Sequence, residues 1–383
     1  MTDPPATVHP GSGPADMTFV DPQAETGRRY LTIPAGRPQP LTEQLQSLDV
    51  TVMGAGTSFT LAQFLAETRG TCLVVAAQGH VVHEWYANGV TPQSLLLGAS
   101  MSKSVLAHLV GMAVRDGALR LSDQVIDHVP ELAGSGYDGV QVGQLLTMTS
   151  GVDWTEDYRD TTSRATRLLA AFQGSGGCSR DILTQIRPDA APGSRYAYCT
   201  ADSQVLDWVR ECATEVRYGA AVGELWADLG CAASAVVAVD DSGVALAGGG
   251  LAATARDWVK VGLLQVDGTT WWQDEVHRVL DEDWVQAAST PSLPFLRPGR
   301  LPSSISTHVG FGYHWWLLDD DAHQVSADGS RGQFCYVDRA ARTVVVKTSQ
   351  WPYADALADR QWRDLSYLAL TDIGTRAGVP TYD

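Results

Sequence analysis

Lysine is scarce in this sequence. Only Lys103, Lys260 and Lys347 occur among 383 residues, whereas 24 arginines carry most of the positive charge. Because arginine already supplies most of the positive surface charge, a catalytic role is the easier explanation for a lysine in this chain. The sequence also lacks any run of about 18 apolar residues, which predicts that no segment spans a membrane.

Other absences narrow the class of protein. The formal net charge is -17, so the surface repels nucleic acid and anionic membranes, and we expect neither as a partner. The six cysteines form no C-x-x-C pair and no Cys–His cluster, which predicts free thiols and no metal site. The first residues, MTDPPATVHPGSGPAD, have no basic start and no apolar core, so no signal peptide is expected. Together these features predict a cytoplasmic protein.

The first third of the chain changes pattern several times. Residues 1–40 are rich in Pro and Gly and predict an arm lying over a surface. The apolar spacing over 41–66 predicts a helix. Two β-rich runs then flank Gln78-Gly79, which predicts a hairpin. After Ser100 the apolar residues repeat at helical spacing, and Gly117 ends that helix.

The rest of the chain is helical first and β-rich later. Residues 120–240 show few strand signals, whereas the C-terminal part contains the strand-like segments FGYHWWLL, GQFCYVD and RTVVVKTSQW. A last helix is predicted over 354–377. The two β-rich ends are expected to share one antiparallel sheet, with the helical middle inserted between them.

These patterns define a fold class and domain boundaries. The expected class is α/β (more strictly α+β), with an antiparallel sheet flanked by helices and a mainly helical inserted lobe. The arm covers 1–40, the sheet domain covers 41–117 and 245–383, and the helical lobe covers 118–244. A cleft between two lobes is a common place for an active site.

The central motif is the S-x-x-K of Ser100-Met101-Ser102-Lys103. Residues i and i+3 of a helix lie on one face, so the hydroxyl and the amine can touch. A lysine that is partly desolvated beside a serine can lose its proton and act as its base. The motif is short, and the plainer alternative is an ordinary first helical turn capped by Ser100 or Ser102.

Several further segments resemble one family. GASMSKSVLAHLVGMAVRDGALRLSDQVIDHVPEL, YAYCTADSQVLDWV, GGGLAATARDWVKVG and DGSRGQFCYVD occur in the order seen in the class C β-lactamase-related serine hydrolases. The likeness covers about residues 70 to 375. It is greatest to the branch of 6-aminohexanoate-dimer hydrolases (nylon-oligomer hydrolases) and related carboxylesterases. The resemblance implies a β-lactamase/transpeptidase-like fold.

The resemblance also implies catalytic roles. Tyr198, in Tyr-Cys-Thr, is the expected proton relay, since a neighbouring ammonium favours phenolate character. Tyr196 is then a packed aromatic residue, although Tyr198 could itself be one. The oxyanion is expected to meet the backbone N–H groups of Ser100 and Ser330. Thr200 stands where many relatives carry Asn.

The substrate contacts are expected at four positions. Tyr158 matches a tyrosine that closes over the substrate in the nylon-oligomer branch, and Gly248 stands where that branch uses an Asn. Arg331 replaces the Lys or His of the third family motif; it either binds a substrate carboxylate or points outward from its strand. Trp316, with tryptophans 154, 315 and 351, could line an acyl pocket, but core packing is as common for such residues.

These residues predict a serine hydrolase that cleaves a small ester or amide through an acyl-enzyme on Ser100, without metal or organic cofactor. The third motif argues against a true β-lactamase or D,D-peptidase. An acyltransferase using the same Ser-Lys-Tyr site stays open, as does a catalytically silent binding module, although the latter has no need for all three residues. The expected partner is a small-molecule ester or amide, and the sequence leaves a homodimer open.

Overall fold

The fold was derived from a computed structural model. It describes residues 20, 28–54, 57–174, 177–272, 275–303, 306, 308–352 and 356–378. Most of the predicted arm and the start of the predicted last helix, residues 354 and 355, lie outside these ranges.

Sixteen strands occur within the described ranges, four of them only two residues long. They are β1 Arg29–Ile33, β2 Thr42–Glu43, β3 Thr51–Gly54, β4 Thr57–Thr60, β5 Gly70–Ala77, β6 His80–Tyr86, β7 Leu96–Leu97, β8 Ala235–Val239, β9 Leu251–Ala253, β10 Thr269–Trp272, β11 Glu275–Arg278, β12 Gly310–Phe311, β13 Trp316–Leu317, β14 Gln324–Gly329, β15 Gln333–Asp338 and β16 Thr343–Ser349.

Eleven α-helices occur in the same ranges. They are α1 Leu61–Glu67, α2 Ser102–Arg115, α3 Val125–His128, α4 Val142–Leu146, α5 Arg164–Ala171, α6 Ser179–Leu183, α7 Thr200–Thr214, α8 Tyr218–Asp228, α9 Ala255–Asp267, α10 Glu282–Ala288 and α11 Ala356–Ala377.

The largest sheet joins the two β-rich ends of the chain, as predicted. Its eight strands run in the order β12-β13-β14-β15-β16-β5-β6-β2. The join is the antiparallel pair β16–β5, in which Val345 lies opposite Val75. All neighbours are antiparallel except β2 and β6. The hairpin between β5 and β6 turns at Gln78 and Gly79, both with φ in the left-handed region that two-residue hairpin turns require.

Helices cover both faces of this sheet. Helix α9 packs against β5, β15 and β16, and α11 packs against the same strands from the opposite side. Side chains therefore alternate along β5: Cys72, Val74 and Ala76 belong to one core cluster, whereas Leu73, Val75 and Ala77 belong to another. A strand buried on both faces reads as a continuous apolar run, which matches TCLVVAA.

A second sheet positions the start of the S-x-x-K helix. Its strands run in the order β1-β8-β9-β7. The Gly98 N–H, one residue after β7, donates to the Leu251 carbonyl in β9 at 3.0 Å. The chain then turns directly into Ser100, so this sheet edge fixes where the S-x-x-K segment begins.

The antiparallel α/β (α+β) fold class is confirmed, but two local predictions were wrong. Residues 41–66 are not one helix: β2, β3 and β4 precede the short α1, because the apolar residues there pack as hairpin and loop contacts. FGYHWWLL is not one strand, since His314 adopts a left-handed φ of 56° and separates β12 from β13. The helical middle also contains β8. The division at 117/118 and 244/245 stays a prediction.

The described residues show free cysteines and neither a membrane-spanning helix nor a metal-binding cluster. None of the six cysteines, all within those residues, is bonded to another. The described part of the chain contains no helix long and apolar enough to cross a membrane. In the same ranges no group of three or more His, Cys, Asp or Glu side chains is arranged to hold a metal ion.

Candidate active site

Ser100 lies in a short 3-10 turn, Ala99–Met101, that runs into α2. Ala99 has a left-handed φ of 46°, a costly conformation for a residue with a Cβ. Ser102 holds this turn in place, because its hydroxyl donates to the Ala99 carbonyl at 2.7 Å and accepts from the Leu251 N–H at 3.1 Å. Ser102 is therefore an anchor of the turn, while the Ser100 hydroxyl faces a cavity.

Lys103 is held one turn further on and is only 2% exposed. Its Nζ lies 2.9 Å from Ser100 Oγ, 3.1 Å from Thr200 Oγ1 and 2.6 Å from the Gly248 carbonyl oxygen. Burial lowers the pKa of Lys103 to about 8, although the nearby Glu156 carboxylate opposes that shift.

The three partners of Lys103 determine what its neutral amine can do. A neutral amine has two N–H donors and one lone pair. The Gly248 carbonyl can only accept, and the Thr200 hydroxyl can take the second N–H. The lone pair is then left for the Ser100 hydroxyl, which is the arrangement a general base needs.

Tyr198 completes the group. Burial raises the pKa of its phenol, and the neighbouring Ser100 hydroxyl partly offsets that effect. The ring centroid lies 5.2 Å from Lys103 Nζ, and the ring stacks on Trp316. Tyr196 instead is buried and packs on Phe311 with ring centroids 5.2 Å apart. Ser100, Lys103 and Tyr198 thus lie together, as the sequence predicts.

A cavity of about 270 Å³ opens at Ser100. One part of its wall is apolar and another carries charged side chains. The apolar residues are Leu97, Ala99, Ala165, Leu168, Leu169, Leu246, Trp316 and Phe334, and the charged ones are Glu156, Asp328, Arg331 and Arg363. This mixture suits a small substrate with an aliphatic body and at least one polar end.

The predicted substrate residues all line this cavity, with different partners. The Tyr158 hydroxyl donates to Glu156 and lies 3.5 Å from Thr200 Oγ1. Arg331 adopts a left-handed φ of 69° and donates from Nε to the Trp351 carbonyl at 2.7 Å. The Gly248 carbonyl oxygen accepts a hydrogen bond from the Lys103 amine. Their roles toward a substrate stay predictions.

Ser330 and the tryptophans are placed as follows. Ser330 is exposed and lines the cavity in the turn between β14 and β15. Trp316 lines the cavity too, whereas Trp315 and Trp351 are fully buried and do not. Trp154 is buried outside the cavity wall but donates from Nε1 to Glu156 at 2.9 Å.

Sequence reasoning missed three charged groups of the cavity. Glu156 precedes the singled-out Tyr158 by two residues, so the TEDY segment contained the signal. Asp328 follows the buried run of β14 and accepts from the Ser326 and Tyr367 hydroxyls, while burial raises its pKa to about 6. Arg363 reaches the cavity from α11, far along the chain, and no local motif indicates it.

A serine hydroxyl, a desolvated lysine and a half-buried phenol that share one cavity define a serine hydrolase with a lysine base. The Beta-lactamase family model matches residues 60–368. The 6-aminohexanoate-dimer hydrolase of Paenarthrobacter ureafaciens is 32% identical over 320 residues, covering 82% of this chain and 80% of the relative. The chain therefore belongs to the β-lactamase family, which confirms the resemblance.

Solved structures agree on the fold. A Bacillus anthracis protein provisionally described as a 6-aminohexanoate-dimer hydrolase superposes with a TM-score of 0.79 at 19% identity, covering 93% of each chain. EstCE1, described as a hydrolase with promiscuous acyltransferase activity, superposes with a TM-score of 0.60 at 17% identity, covering 80% of this chain and 96% of its own.

Proposed function

We propose that this protein hydrolyses a short linear amide or ester, of the kind cleaved by the 6-aminohexanoate-dimer hydrolase it resembles, through an acyl-enzyme on Ser100. One observation carries the proposal: the Lys103 amine lies 2.9 Å from the Ser100 hydroxyl and has other acceptors for both of its N–H groups. A lysine with a pKa of about 8 is partly neutral near pH 7 to 8, so it can take the serine proton.

The reaction proceeds in two halves. Lys103 accepts the Ser100 proton as the serine oxygen attacks the substrate carbonyl, and the backbone N–H groups of Ser100 and Ser330 receive the oxyanion. As the intermediate collapses, Tyr198 gives its proton to the leaving amine or alkoxide and regains one from the Lys103 ammonium. Water then attacks the acyl ester, losing a proton to the same pair, and the acid leaves with Ser100 restored.

The cavity supports a small linear substrate. Its volume of about 270 Å³ and its apolar wall fit an aliphatic acyl chain, while the charged groups face the remaining space. Arg331 stands where relatives carry the Lys or His of the third family motif, and this departure argues against true β-lactamase activity. The six unpaired cysteines favour a reducing, cytoplasmic location. The homodimer stays a prediction.

The test compares three substrates. The purified protein is incubated with p-nitrophenyl butyrate, the linear 6-aminohexanoate dimer and a chromogenic cephalosporin, and the peptides are searched by mass spectrometry for an acyl group. We expect turnover of the ester or the amide and a label on Ser100. Ser100→Ala should lose activity by about 10³-fold or more. The matched variant Ser104→Ala, one helix position past Lys103, should still be labelled at Ser100.

Two results would contradict the proposal. The first is a label on another residue, and the second is full turnover by Ser100→Ala. Product analysis in the presence of butanol separates hydrolysis from acyl transfer, because an acyltransferase forms the butyl ester in preference to the acid.

A further inference from the structure

Glu156 is bound on both of its carboxylate oxygens. Oε1 accepts the Trp154 indole N–H at 2.9 Å and also the Thr200 backbone N–H. Oε2 accepts the Tyr158 hydroxyl. Three donors, two from the segment that contains Glu156 and one from the start of α7, therefore hold this carboxylate in one orientation on the cavity wall.

Thr200 contacts both Glu156 and the catalytic lysine, Lys103. Thr200 donates its backbone N–H to Glu156 and receives the Lys103 amine on its hydroxyl at 3.1 Å. The negative charge of Glu156 raises the pKa of Lys103 and so partly offsets the effect of burial.

The other titratable groups beside Lys103 in the described ranges supply no such charge. Burial raises the pKa of Tyr198 and of the Cys199 thiol, so both are neutral at pH 7. His314, which packs against α2 from the β12–β13 turn, has its pKa lowered to about 3 by burial and is neutral as well. Its Nδ1 lies 3.2 Å from the Lys103 backbone carbonyl. Glu156 therefore supplies the negative charge near the Lys103 amine.

We propose that Glu156 is a positioning residue of this reaction, which stabilises the ammonium that Lys103 becomes when it takes the Ser100 proton. The inference rests on the proposed function, because it assumes that Lys103 is the base. An ammonium formed in a desolvated site is costly unless a fixed opposite charge lies near it. A carboxylate already held by three donors needs no rearrangement as the charge develops.

The variant that isolates the charge is Glu156→Gln. The glutamine carbonyl can accept from Trp154 and Thr200, and its amide can donate to the Tyr158 oxygen, so all three contacts survive. The matched control is Asp157→Asn, which removes a charge one residue away whose carboxylate accepts from the Arg159 backbone N–H and side chain. Glu156→Asp keeps the charge but shortens the side chain.

The readout is kcat and KM for p-nitrophenyl butyrate from pH 5 to 10. We expect Glu156→Gln to lower kcat by about 10- to 100-fold, with KM changed less than about threefold because the substrate contacts remain. The rising limb of kcat/KM should move down by about 0.5–1 pH unit, since Lys103 loses the charge that raises its pKa. Glu156→Asp should move the limb less, and Asp157→Asn should match the wild type.

The outcomes separate this inference from the proposed function. Should Ser100→Ala keep its activity, the proposed function itself fails. If Ser100→Ala is inactive but Glu156→Gln has the wild-type kcat and pH limb, only the role of Glu156 is overturned. An equal shift of the limb in the Gln and Asp variants also overturns it. Should the Gln variant not fold, Glu156→Asp decides: because it keeps the charge, a limb that moves down by about 0.5–1 pH unit or more rejects the proposal, and a smaller movement supports it.

Discussion

The indole ring of Trp316 stacks on the phenol ring of Tyr198, with ring centroids 5.7 Å apart and only 12° between the ring planes. Phe311 closes the same cluster, meeting both rings edge-on. The phenol has two side-chain torsions, and this packing restricts both of them. We therefore expect the orientation of the Tyr198 hydroxyl toward Ser100 to depend on the ring of Trp316.

Replacing that ring should affect turnover more than stability. Trp316→Phe keeps an aromatic ring but loses part of the stacked area, and kcat should fall by about 3- to 10-fold because the proton relay is less well aligned. Steady-state kinetics with p-nitrophenyl butyrate and thermal unfolding together measure the effect.

The adjacent Trp315 is a matched control. It is 0% exposed and belongs to the core cluster on the other side of the strand, where it packs on His108. Trp315→Phe should lower the free energy of unfolding by about 1–3 kcal/mol and leave the kcat of the folded protein near the wild-type value. Equal loss of kcat in both variants would show that stacking on Tyr198 is not the cause.

The close approach of the two main-chain segments beside Ser100 leads to a second prediction. A Cβ at Gly329 would lie 2.1 Å from the Gly98 carbonyl oxygen and 3.1 Å from the Ala99 Cβ. Because the obstacle is backbone, Gly329→Ala must push the end of β14 away from the Ser100 turn. The distance between the N–H groups of Ser100 and Ser330 would change with it.

We expect Gly329→Ala to lower kcat/KM by about 10²–10³-fold, the loss typical of a disrupted oxyanion site. A control is Gly223→Ala in α8, where a Cβ meets nothing within 4 Å. Alanine is the better helix former, so that variant should gain about 0.5–1 kcal/mol in unfolding free energy and keep its activity. Normal kinetics in Gly329→Ala would mean that the strand and the turn can separate without cost to catalysis.

The parts of the site predictable from sequence are those set by local geometry. Ser100 and Lys103 are three residues apart at the start of one helix, so their contact follows from helical spacing. Tyr198 was predicted because its segment resembles a family motif. The hairpin at Gln78-Gly79 was predictable for the same local reason, since its turn needs residues that tolerate a positive φ.

The rest depends on contacts that no local pattern contains. The Gly248 acceptor for Lys103 is a backbone carbonyl, 145 residues away in sequence, and backbone groups are the same in every residue. The Glu156 charge matters only because α7 begins at Thr200 beside it. His314 was one of nine histidines without a motif, and it reaches Lys103 only through the turn between β12 and β13.

Lys347 provides the last prediction, because it is a buried lysine without an acidic partner among the residues that the structure describes. It is 0% exposed, its Nζ donates to Ser349 Oγ, and it lies 5.3 to 5.7 Å from the ring centroids of Phe64, Phe334 and Trp351. Burial lowers its pKa to about 7. The folded protein therefore binds fewer protons than the unfolded chain between about pH 7 and the ordinary lysine pKa of about 10.5, and stability from this group rises with pH across that window.

Lys347→Met should remove the cost of keeping this amine buried. We expect the free energy of unfolding, measured by urea denaturation, to rise by about 1–3 kcal/mol at pH 7. The gain should shrink as the pH rises and disappear above about pH 10.5, where the amine is neutral in both states. Lys260→Met is the contrasting variant, since Lys260 donates to the Gly230 carbonyl and lies 3.8 Å from an Asp257 carboxylate oxygen. Its loss leaves buried acceptors without their partner and should cost about 1–3 kcal/mol. If both variants were destabilised alike at pH 7, burial of the Lys347 amine would not be a net cost to stability. The aromatic rings around the amine would then compensate fully for its lost hydration.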